Sequence, residues 1–341
     1  MKNDKCRGVW IFAEQTEGQI SKITLELLGK GRELADELDT KLTAILLGDG
    51  IEGTTDELIN YGADEIFLGI GPVLANYRTD VYTNVICKLV TERMPEIFII
   101  GATSTGRDLA PRIARRLNTG LTADCTELSV DTEERLLLQT RPTFAGNLMA
   151  TIICPEMRPQ MATVRPCVML PIEPDNTRTG KVIKITVDIA EKDTTTKIVE
   201  IIKEEGKAVN IEESDVIVSV GRGLGCAEHL KVVEELAELL GGVIGCTRAL
   251  FENGILPHDY QIGQTGKVVR PELNILCGIS GATQHVEGMK DSKVIVAINN
   301  DKDAEIFKIA DYGLVGDLHE LVPMLIKELK KRGIDKTQCM I

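Results

Sequence analysis

The sequence predicts an α/β protein built from two parallel-sheet domains. Three observations support this fold class. The 341 residues exceed what one ordinary domain holds. Short apolar runs alternate with stretches of helical periodicity, which is typical of strands joined by crossover helices. The alternation stops after residue 124 and resumes at residue 215, so it indicates two separate sheets.

The first hundred or so residues are predicted to form a Rossmann-like α/β domain. Apolar runs of strand length lie at residues 8–13, 42–47, 66–68 and 97–101. Helical periodicity follows these runs at residues 20–38, 83–93 and 108–117. Because strands separated by helices pair in parallel, we expect a parallel, helix-covered sheet.

Residues 125–188 are predicted to form an antiparallel extension of this domain. Four strand-like segments follow one another without long helices between them, and six prolines punctuate the stretch. Strands joined in this way pair most simply with their neighbours in antiparallel fashion. The segments lie at 126–130, 136–141, 148–153 and 182–187.

The domain boundary is predicted near Gly206, within a polar and charged stretch at 191–207. This gives an N-terminal domain at residues 1–205 and a smaller parallel-sheet domain at residues 206–341. Asp317 is placed to cap the last helix of the second domain. The predicted elements there are strands at 216–220, 273–277 and 293–298 and helices at 228–240 and 318–331.

The composition excludes several classes of function. Lys and Arg number 39 and Asp and Glu 52, giving a net charge of −13, so the chain is not built to coat nucleic acid or anionic lipid. No apolar run reaches the roughly 18 residues of a membrane span. We therefore expect no membrane insertion and, because no signal or transit peptide is recognisable, a cytoplasmic location.

The cysteines give no sign of a metal or redox centre. Nine are present, but no C-x-x-C pair occurs, so zinc ribbons, iron–sulfur clusters and thioredoxin-type chemistry have no ligand spacing to use. We expect reduced, mostly buried thiols. Aromatic residues make up only 4% of the chain, which disfavours base-stacking platforms and carbohydrate clefts.

Polar, glycine-rich clusters follow the predicted strands of the second domain. Because the carboxyl ends of parallel strands meet at one edge of a sheet, we expect these clusters to converge on one crevice. Glycine lets the backbone approach a phosphate closely, and a helix N-terminus favours the anion. The sequence therefore predicts a site for a phosphorylated, nucleotide-like ligand. The clusters are 221–225, 246–248, 261–267, 278–285, 299–301 and 313–317.

Several common motifs are incomplete in this sequence. The first cluster reads G-x-G-x-G and is not the G-x-G-x-x-G dinucleotide fingerprint. Lys267 follows Thr-Gly, but the rest of a P-loop is missing, and Ala282 breaks the G-x-S-x-G frame around Ser280. From the residues alone, His285 could be functional or structural, and Arg248 could equally serve in a salt bridge.

Taken together, the polar, glycine-rich clusters of the second domain resemble those of the electron-transfer flavoprotein family, in particular of its α subunit. The resemblance is strongest over residues 215–330, where the motifs follow the family's order and spacing. It extends more loosely to the N-terminal domain through Arg141-Pro142, Gly146-Asn147 and residues 161–166. The segments that carry it most strongly are 222–223, 247–248, 263–267, 278–285 and 310–317.

The resemblance implies a heterodimer in which the N-terminal domain contacts a β subunit and the second domain holds FAD. No residue is implied to be catalytic, because the cofactor performs the redox chemistry. The implied FAD-binding residues are Arg222, Gly223, Thr247, Arg248, Gln261, Ile262, Gly263, Gln264, Thr265, Gly266, Gly278, Ser280, Gly281, Ala282, Thr283, Gln284, His285, Asn299, Asp317 and Leu318.

The resemblance also implies roles for individual side chains. Arg222 is expected near the pyrophosphate or the isoalloxazine edge, and Arg248 against the ring near N5. Thr265, with Gln264, is expected to bind around N5 and O4, and His285 to face N1 and O2. Positive charge and a donor at these atoms would stabilise a reduced, negative flavin. The ribityl, phosphate and adenosine portions are assigned to Ser280, Gln284, Asn299 and Asp317.

The implied function is relay of single electrons to or from an acyl-CoA dehydrogenase, by a carrier subunit rather than a stand-alone enzyme. We favour an NADH-dependent, electron-bifurcating complex, in which the β subunit brings a second FAD, NADH and contact with a ferredoxin or flavodoxin. One alternative is a plain electron-transfer flavoprotein of fatty acid β-oxidation that delivers electrons to a quinone reductase. Others are a nicotinamide-dependent dehydrogenase, disfavoured by the missing fingerprint, and a regulatory nucleotide-binding module.

Overall fold

The chain divides into two compact units, Met1–Ile201 and Ile202–Ile341. Gly206 and most of the 191–207 stretch, where the boundary was expected, lie outside the described residues. Other sequence features outside them are Gly146, Asn147 and Cys339. The computed structural model describes residues 6–143, 148–189, 194–200 and 211–333.

The first unit contains a seven-stranded, entirely parallel sheet and a three-stranded antiparallel sheet. A two-stranded ribbon follows its first strand. Its strands are β1 (Val9–Ala13), β2 (Gln15–Thr16), β3 (Gln19–Ile20), β4 (Leu42–Gly48), β5 (Glu65–Ile70), β6 (Ile97–Gly101), β7 (Leu121–Cys125), β8 (Glu127–Asp131), β9 (Leu136–Thr143), β10 (Leu148–Ile152), β11 (Gln160–Val164) and β12 (Lys181–Ile185). Its helices are α1 (Lys22–Glu37), α2 (Thr55–Asn60), α3 (Thr79–Arg93) and α4 (Ser104–Leu117).

The order of the large sheet is β12-β5-β4-β1-β6-β11-β7. All residues of β1, β4 and β6 are buried, because helices cover both faces of the sheet. Alternate residues of β1 accordingly enter two different cores: Val9 and Ile11 pack with α1 and α2, whereas Trp10 and Phe12 pack with α3 and α4. The predicted Rossmann-like α/β domain is confirmed.

The antiparallel extension is only partly as predicted. Strands β8, β9 and β10 form an antiparallel sheet, but the 182–187 segment was assigned wrongly: β12 runs parallel to β5 at the edge of the large sheet. No strand was predicted at β11, which is completely buried and pairs with β6 on one side and β7 on the other. Its first residue, Gln160, is polar but satisfied, since Oε1 accepts from Leu137 N at 2.8 Å and Nε2 donates to Arg135 O at 3.2 Å.

The second unit is a five-stranded parallel sheet. Asp317 caps its last helix as predicted, since a carboxylate oxygen accepts from His319 N at 2.8 Å. Five elements lie within a few residues of their predicted positions: β13 (Val216–Val220), α5 (Leu230–Leu239), β15 (Leu273–Cys277), β16 (Val294–Asn299) and α8 (Leu318–Lys331). Four short elements had no predicted bounds: β14 (Val243–Cys246), α6 (Arg248–Glu252), α7 (Thr283–Val286) and β17 (Tyr312–Val315).

The two faces of the second sheet are covered differently. Helices α5 and α8 pack on one face, where Val218, Val233 and Val322 meet in one core. Loop segments cover the other face, through residues such as Ile262 and Ile306. This leaves the strand ends, rather than the faces, as the place where polar groups collect.

No helix within the described ranges is both long and apolar enough to cross a bilayer. The eight cysteines in those ranges form no disulfide with one another; most of them are buried, and Cys226 is the exposed one among them. Burial raises the pKa of Cys246 and of Cys277 to about 12, so both are protonated, unreactive core residues.

Candidate flavin site

The carboxyl ends of the second unit's strands surround a cleft of about 730 Å³. The sheet order is β14-β13-β15-β16-β17, so the chain moves from β13 to one side and then crosses to the other. Between the ends of β13 and β15 the connections diverge, which is the position where open parallel sheets bind ligands. The cleft also has the volume typical of a ligand site.

Glycines form the floor of the cleft, where the loops after β13 and β15 touch. Gly221 N donates to Cys277 O at 2.9 Å, and Gly223 N donates to Gly278 O at 3.0 Å. A Cβ on Gly223 would lie 2.7 Å from the Cα of Gly278, and one on Gly278 would lie 2.8 Å from the Cα of Gly223. The loops can approach this closely only because neither carries a side chain, so backbone faces the ligand.

His285 presents a buried nitrogen to the cleft. Its side chain is in the protein interior, and Nδ1 lies 3.0 Å from Ile262 O. A carbonyl only accepts, so Nδ1 carries the proton, and Nε2 is left buried with no hydrogen-bond partner. Burial lowers the pKa of His285, and the bond to Ile262 opposes this only in part. The neutral imidazole therefore offers an unsatisfied acceptor that a bound ligand must meet.

Two arginines bring positive charge to the same cleft. Arg222 opens the short turn after β13, and Arg248 is the first residue of α6. Arg248 Nε donates to Glu252 Oε1 at 2.8 Å, four residues along the same helix. Both side chains of this pair are more than half exposed, so the pair orients the guanidinium rather than burying it. The two arginines fit an anionic ligand.

The loop 261–267 forms one wall of the cleft and is held by its own backbone. Ile262 N donates to Cys246 O at 2.8 Å, and Gln264 N donates to Gln284 O at 2.7 Å. Gln261 Nε2 donates to the Thr265 hydroxyl at 3.0 Å. These hydrogen bonds connect the loop to β14 and to the segment that carries His285. They therefore fix the position of Thr265 in the wall of the cleft.

Asn299 and Asp317 line the cleft but already make internal hydrogen bonds. Asn299 Nδ2 donates to Ile279 O at 2.8 Å, and its Oδ1 accepts from Asp301 N at 2.9 Å. Asp317 is occupied as the N-cap of α8. Their geometry indicates that they shape the loops around the cleft in addition to any contact with a ligand.

The structure brings most of the residues predicted for the site into one lining. Gly266, Gly281 and Thr283 do not line the cleft. A Cβ on Gly266 would lie 2.2 Å from Gln261 O, and one on Gly281 would lie 2.3 Å from Ile306 N, so these two glycines allow loops to pack behind it. The predicted residues that line it are Arg222, Gly223, Thr247, Arg248, Gln261, Ile262, Gly263, Gln264, Thr265, Gly278, Ser280, Ala282, Gln284, His285, Asn299, Asp317 and Leu318.

Sequence reasoning missed several lining residues. Glu252 could have been found, because it lies one helical turn after Arg248 with the opposite charge. Ala249 and Ile298 carry little signal, because they are apolar residues of a helix and a strand. Gly221, Ile279 and Asn300 lie within the predicted clusters but were not assigned to the ligand. The lining residues outside the assigned set are Gly221, Ala249, Glu252, Ile279, Ile298 and Asn300.

Comparison with known proteins identifies the family. The sequence model of the electron transfer flavoprotein domain matches residues 9–190, and that of the electron transfer flavoprotein FAD-binding domain matches residues 210–290. The chain is 54% identical over 325 residues to the electron transfer flavoprotein subunit alpha of Thermoanaerobacterium thermosaccharolyticum, covering 95% of this chain and 98% of that one.

Two further relatives cover almost the whole chain. Protein FixB of Clostridium saccharobutylicum is 53% identical over 325 residues, covering 95% of this chain and 97% of that one. The acryloyl-CoA reductase electron transfer subunit beta of Anaerotignum propionicum is 44% identical over 352 residues, covering 95% of this chain and 96% of that one.

The cleft fits the cofactor that this family carries. The glycine floor leaves room for a phosphorylated group, the two arginines would balance negative charge on a ligand, and the unpartnered Nε2 of His285 would need a polar ligand atom. The three observations are independent of the sequence comparison and agree with it. The chain belongs to the electron transfer flavoprotein family, as an α subunit that binds FAD and pairs with a β subunit.

Proposed function

We propose that this chain relays single electrons between its FAD and an acyl-CoA dehydrogenase, within an NADH-dependent, electron-bifurcating complex formed with the β subunit. The observation that carries the proposal is the 44% identity to the Anaerotignum propionicum protein, whose name links electron transfer to acryloyl-CoA reductase. Reduction of an unsaturated acyl-CoA is the reverse of the reaction of an acyl-CoA dehydrogenase. The same class of partner is therefore the best candidate here.

The residues of the cleft support a carrier that holds electrons rather than an enzyme that binds an organic substrate. When bound, FAD supplies the one-electron redox chemistry. The guanidinium groups of Arg222 and Arg248 line the cleft, so they would stabilise negative charge there. His285 can take up a proton at Nε2 when negative charge develops in front of it.

The loop frame gives these groups fixed positions. The bonds from Ile262 and Gln264 to neighbouring segments hold Thr265 and His285 in relation to one another. Polar groups in fixed positions need little reorganisation when charge appears, which keeps the energetic cost of each electron transfer low.

The test is to purify the full-length chain with its β subunit and to count flavin per heterodimer. We expect two FAD, and NADH oxidation that requires both ferredoxin and an enoyl-CoA with its acyl-CoA dehydrogenase. A single FAD, reduced by the acyl-CoA dehydrogenase and its substrate but not by NADH, would establish the plain carrier instead. Two FAD without any exchange of electrons with an acyl-CoA dehydrogenase would overturn the choice of partner.

A further inference from the structure

Three polar side chains, the buried polar network, are joined by hydrogen bonds in the interior of the second unit. Ser219 Oγ donates to Asn274 Oδ1 at 2.9 Å, and Asn274 Nδ2 donates to Ser292 Oγ at 3.3 Å. Ser292 Oγ in turn donates to Met289 O at 2.6 Å. Ser219 and Asn274 are fully buried, and Ser292 is 9% exposed. Burying paired polar groups brings little net stability, so the network is better explained by what it holds in place.

The direction of each hydrogen bond in the network is fixed. A backbone carbonyl only accepts, so the hydroxyl proton of Ser292 is used on Met289 O. Ser292 Oγ therefore accepts its other bond from the amide group of Asn274, which turns the amide oxygen towards Ser219. Asn274 thus joins two hydroxyl groups that an aliphatic side chain could not join.

Ser219 and Asn274 lie on the face of the sheet that loop segments cover. Ile217 of β13 and Leu276 of β15 pack on this face. Because side chains alternate along a strand, Ser219 shares the face with Ile217, and Asn274 shares it with Leu276. A loop lacks the regular rows of side chains by which a helix fits a sheet. Directional hydrogen bonds can instead fix how a loop segment sits on this face.

His285 lies in the segment that the network anchors. Residues 283–292 form consecutive turns that end at Ser292. Within them, Gly288 N donates to His285 O at 3.0 Å. Ser292 N donates to Met289 O at 3.0 Å, the same carbonyl that its side chain contacts. These backbone bonds connect the position of Ser292 to that of His285.

The hydrogen bond that orients the imidazole spans two anchored segments. His285 Nδ1 donates to Ile262 O at 3.0 Å. Ile262 is fixed to β14, since its N–H donates to Cys246 O at 2.8 Å. The His285 segment is fixed to β15 by the bond from Asn274 to Ser292. The imidazole keeps its direction, with Nε2 towards the cleft, only while both anchors hold.

We propose that Asn274 is a positioning residue for His285, which through Ser292 holds the imidazole so that Nε2 can meet the bound FAD. The inference rests on the role proposed above for His285, in which Nε2 takes up a proton as negative charge develops in front of it. A group that takes up this proton favours reduced over oxidised FAD. Loss of the anchor should therefore weaken the binding of reduced FAD more than that of oxidised FAD.

The first test observes the imidazole directly. The full-length chain, labelled with nitrogen-15 at histidine, is purified with unlabelled β subunit, and NMR follows exchange of the His285 Nδ1 proton with solvent. His285→Gln identifies the signal. Ser219→Ala with Asn274→Leu removes the amide and leaves no hydroxyl unpaired at residue 219, and we expect exchange about 10-fold faster. Ser292→Ala should act in the same direction, and Ser292→Thr, which keeps the hydroxyl, should retain the wild-type rate.

Val233→Ala is the matched control for a general loss of stability. Val233 is buried on the helix-covered face of the same unit, so its truncation destabilises the unit without touching the network. It should lower the melting temperature at least as much as the Ser219/Asn274 variant and leave Nδ1 exchange unchanged. Wild-type exchange in the Ser219/Asn274 variant would overturn the proposal. Equally fast exchange in Val233→Ala would also overturn it, because any destabilisation would then loosen the imidazole.

The second test asks whether the network acts on the cofactor through His285. The reduction potential of bound FAD is measured in the wild type, the Ser219/Asn274 variant, His285→Gln and the combination of these substitutions. We expect the Ser219/Asn274 variant to lower the preference for reduced FAD about 10-fold, which is about 30 mV for a two-electron couple. The combined variant should match His285→Gln, because the network then has nothing left to position.

The outcomes separate this inference from the role proposed for His285. Shifts that add in the combined variant would mean that Asn274 acts by another route, and the inference would fail. If His285→Gln left the potential unchanged, the role of His285 would be wrong, and Nδ1 exchange alone would decide whether Asn274 positions the imidazole. If His285→Gln shifted the potential and the Ser219/Asn274 variant did not, the inference would fail and the role of His285 would stand.

Discussion

In each of the two large parallel sheets there is a position where the connections of neighbouring strands run to opposite sides of the sheet. The residues at this position differ between the two sheets. In the first unit, Glu14 follows β1 and Thr103 follows β6, and the Thr103 hydroxyl donates to Glu14 Oε2 at 2.7 Å. The same hydroxyl accepts from Gly106 N at 3.0 Å and caps α4. In the second unit, the corresponding ends of β13 and β15 carry Gly223 and Gly278 and surround the cleft.

The difference shows that the strand order creates a position where a ligand could bind. The side chains at that position determine whether its hydrogen-bonding groups are free to meet a ligand. Polar side chains that bond to one another use up their own hydrogen-bonding capacity and hold the helix against the strand end. Glycines leave backbone groups facing outward with space in front of them. The same parallel architecture therefore serves as a scaffold in one unit and as a cofactor site in the other.

The strongest way to break this comparison is to add one methyl group to the floor of the cleft. Gly278→Ala should lower FAD affinity at least 100-fold, because the Cβ would lie 2.8 Å from the Cα of Gly223 and from Leu318 Cδ2. FAD retention, measured by flavin absorbance per chain after gel filtration, checks this. Gly241→Ala is the matched control, since it has a similar φ of 70° with nothing within 4 Å of its Cβ. If both variants retained FAD equally, the close approach of the loops would not matter for binding.

The converse test removes the hydrogen bonds that Thr103 makes at the strand ends of the first sheet. Thr103→Ala deletes the cap of α4 and the bond to Glu14, and we expect a loss of about 1–2 kcal/mol in the free energy of unfolding of the first unit. FAD content should not change. Urea unfolding with flavin absorbance recorded in parallel gives both quantities, and Thr103→Ser, which keeps the hydroxyl, should restore most of the stability. Loss of FAD from Thr103→Ala would show that the two strand ends are not independent.

The sequence predicted the second region better than the first for a physical reason. Strand ends with glycine and polar residues are local signals, and the convergence of parallel strand ends is a general rule, so most of the cleft could be foreseen. The parallel pairing of β12 with β5 joins Lys181 to Glu65, and such a distant partner leaves no local pattern. Strand β11 was missed because Gln160 and Thr163 interrupt its apolar run, and only the folded structure supplies their hydrogen-bond partners.

In the protein without FAD, acid should lower the free energy of unfolding of the two units over different pH ranges. The pKa of His285 is lowered in the folded chain, whereas an unfolded histidine has a pKa of about 6.5. The unfolded state thus binds the proton more readily, so the stability of the second unit is complete above about pH 6.5 and falls as pH drops below it. The slope should be at most about 1.4 kcal/mol per pH unit.

The first unit should lose stability at lower pH. Hydrogen bonds from Thr195 and Thr196 outweigh burial and hold the pKa of Asp80 below its usual value, so its contribution is present above about pH 4 and is lost as pH falls further. Urea titrations from pH 8 down to about pH 2, read by hydrogen exchange in each unit, check the order. His285→Gln should abolish the dependence between pH 6.5 and 5 in the second unit alone. A wild-type slope in that variant would assign the effect to another group.

The smallest expected effect is that of Glu252, a negative charge in the cleft lining, on the reduction potential of the bound FAD. Glu252 pairs with Arg248 at 2.8 Å in an exposed ion pair, so Glu252→Gln should change the free energy of unfolding by less than about 0.5 kcal/mol. Because the substitution removes a negative charge from the lining, the reduction potential of the bound FAD should become more positive. Spectroelectrochemical titration of the complex measures this shift. Glu328→Gln removes the carboxylate of an equivalent pair with Arg332, at 3.0 Å on α8 and away from the cleft lining, and should leave the potential unchanged. Equal potentials in both variants would mean that Glu252 only orients Arg248, and that the cleft's positive charge acts on the cofactor undiminished by its neighbour.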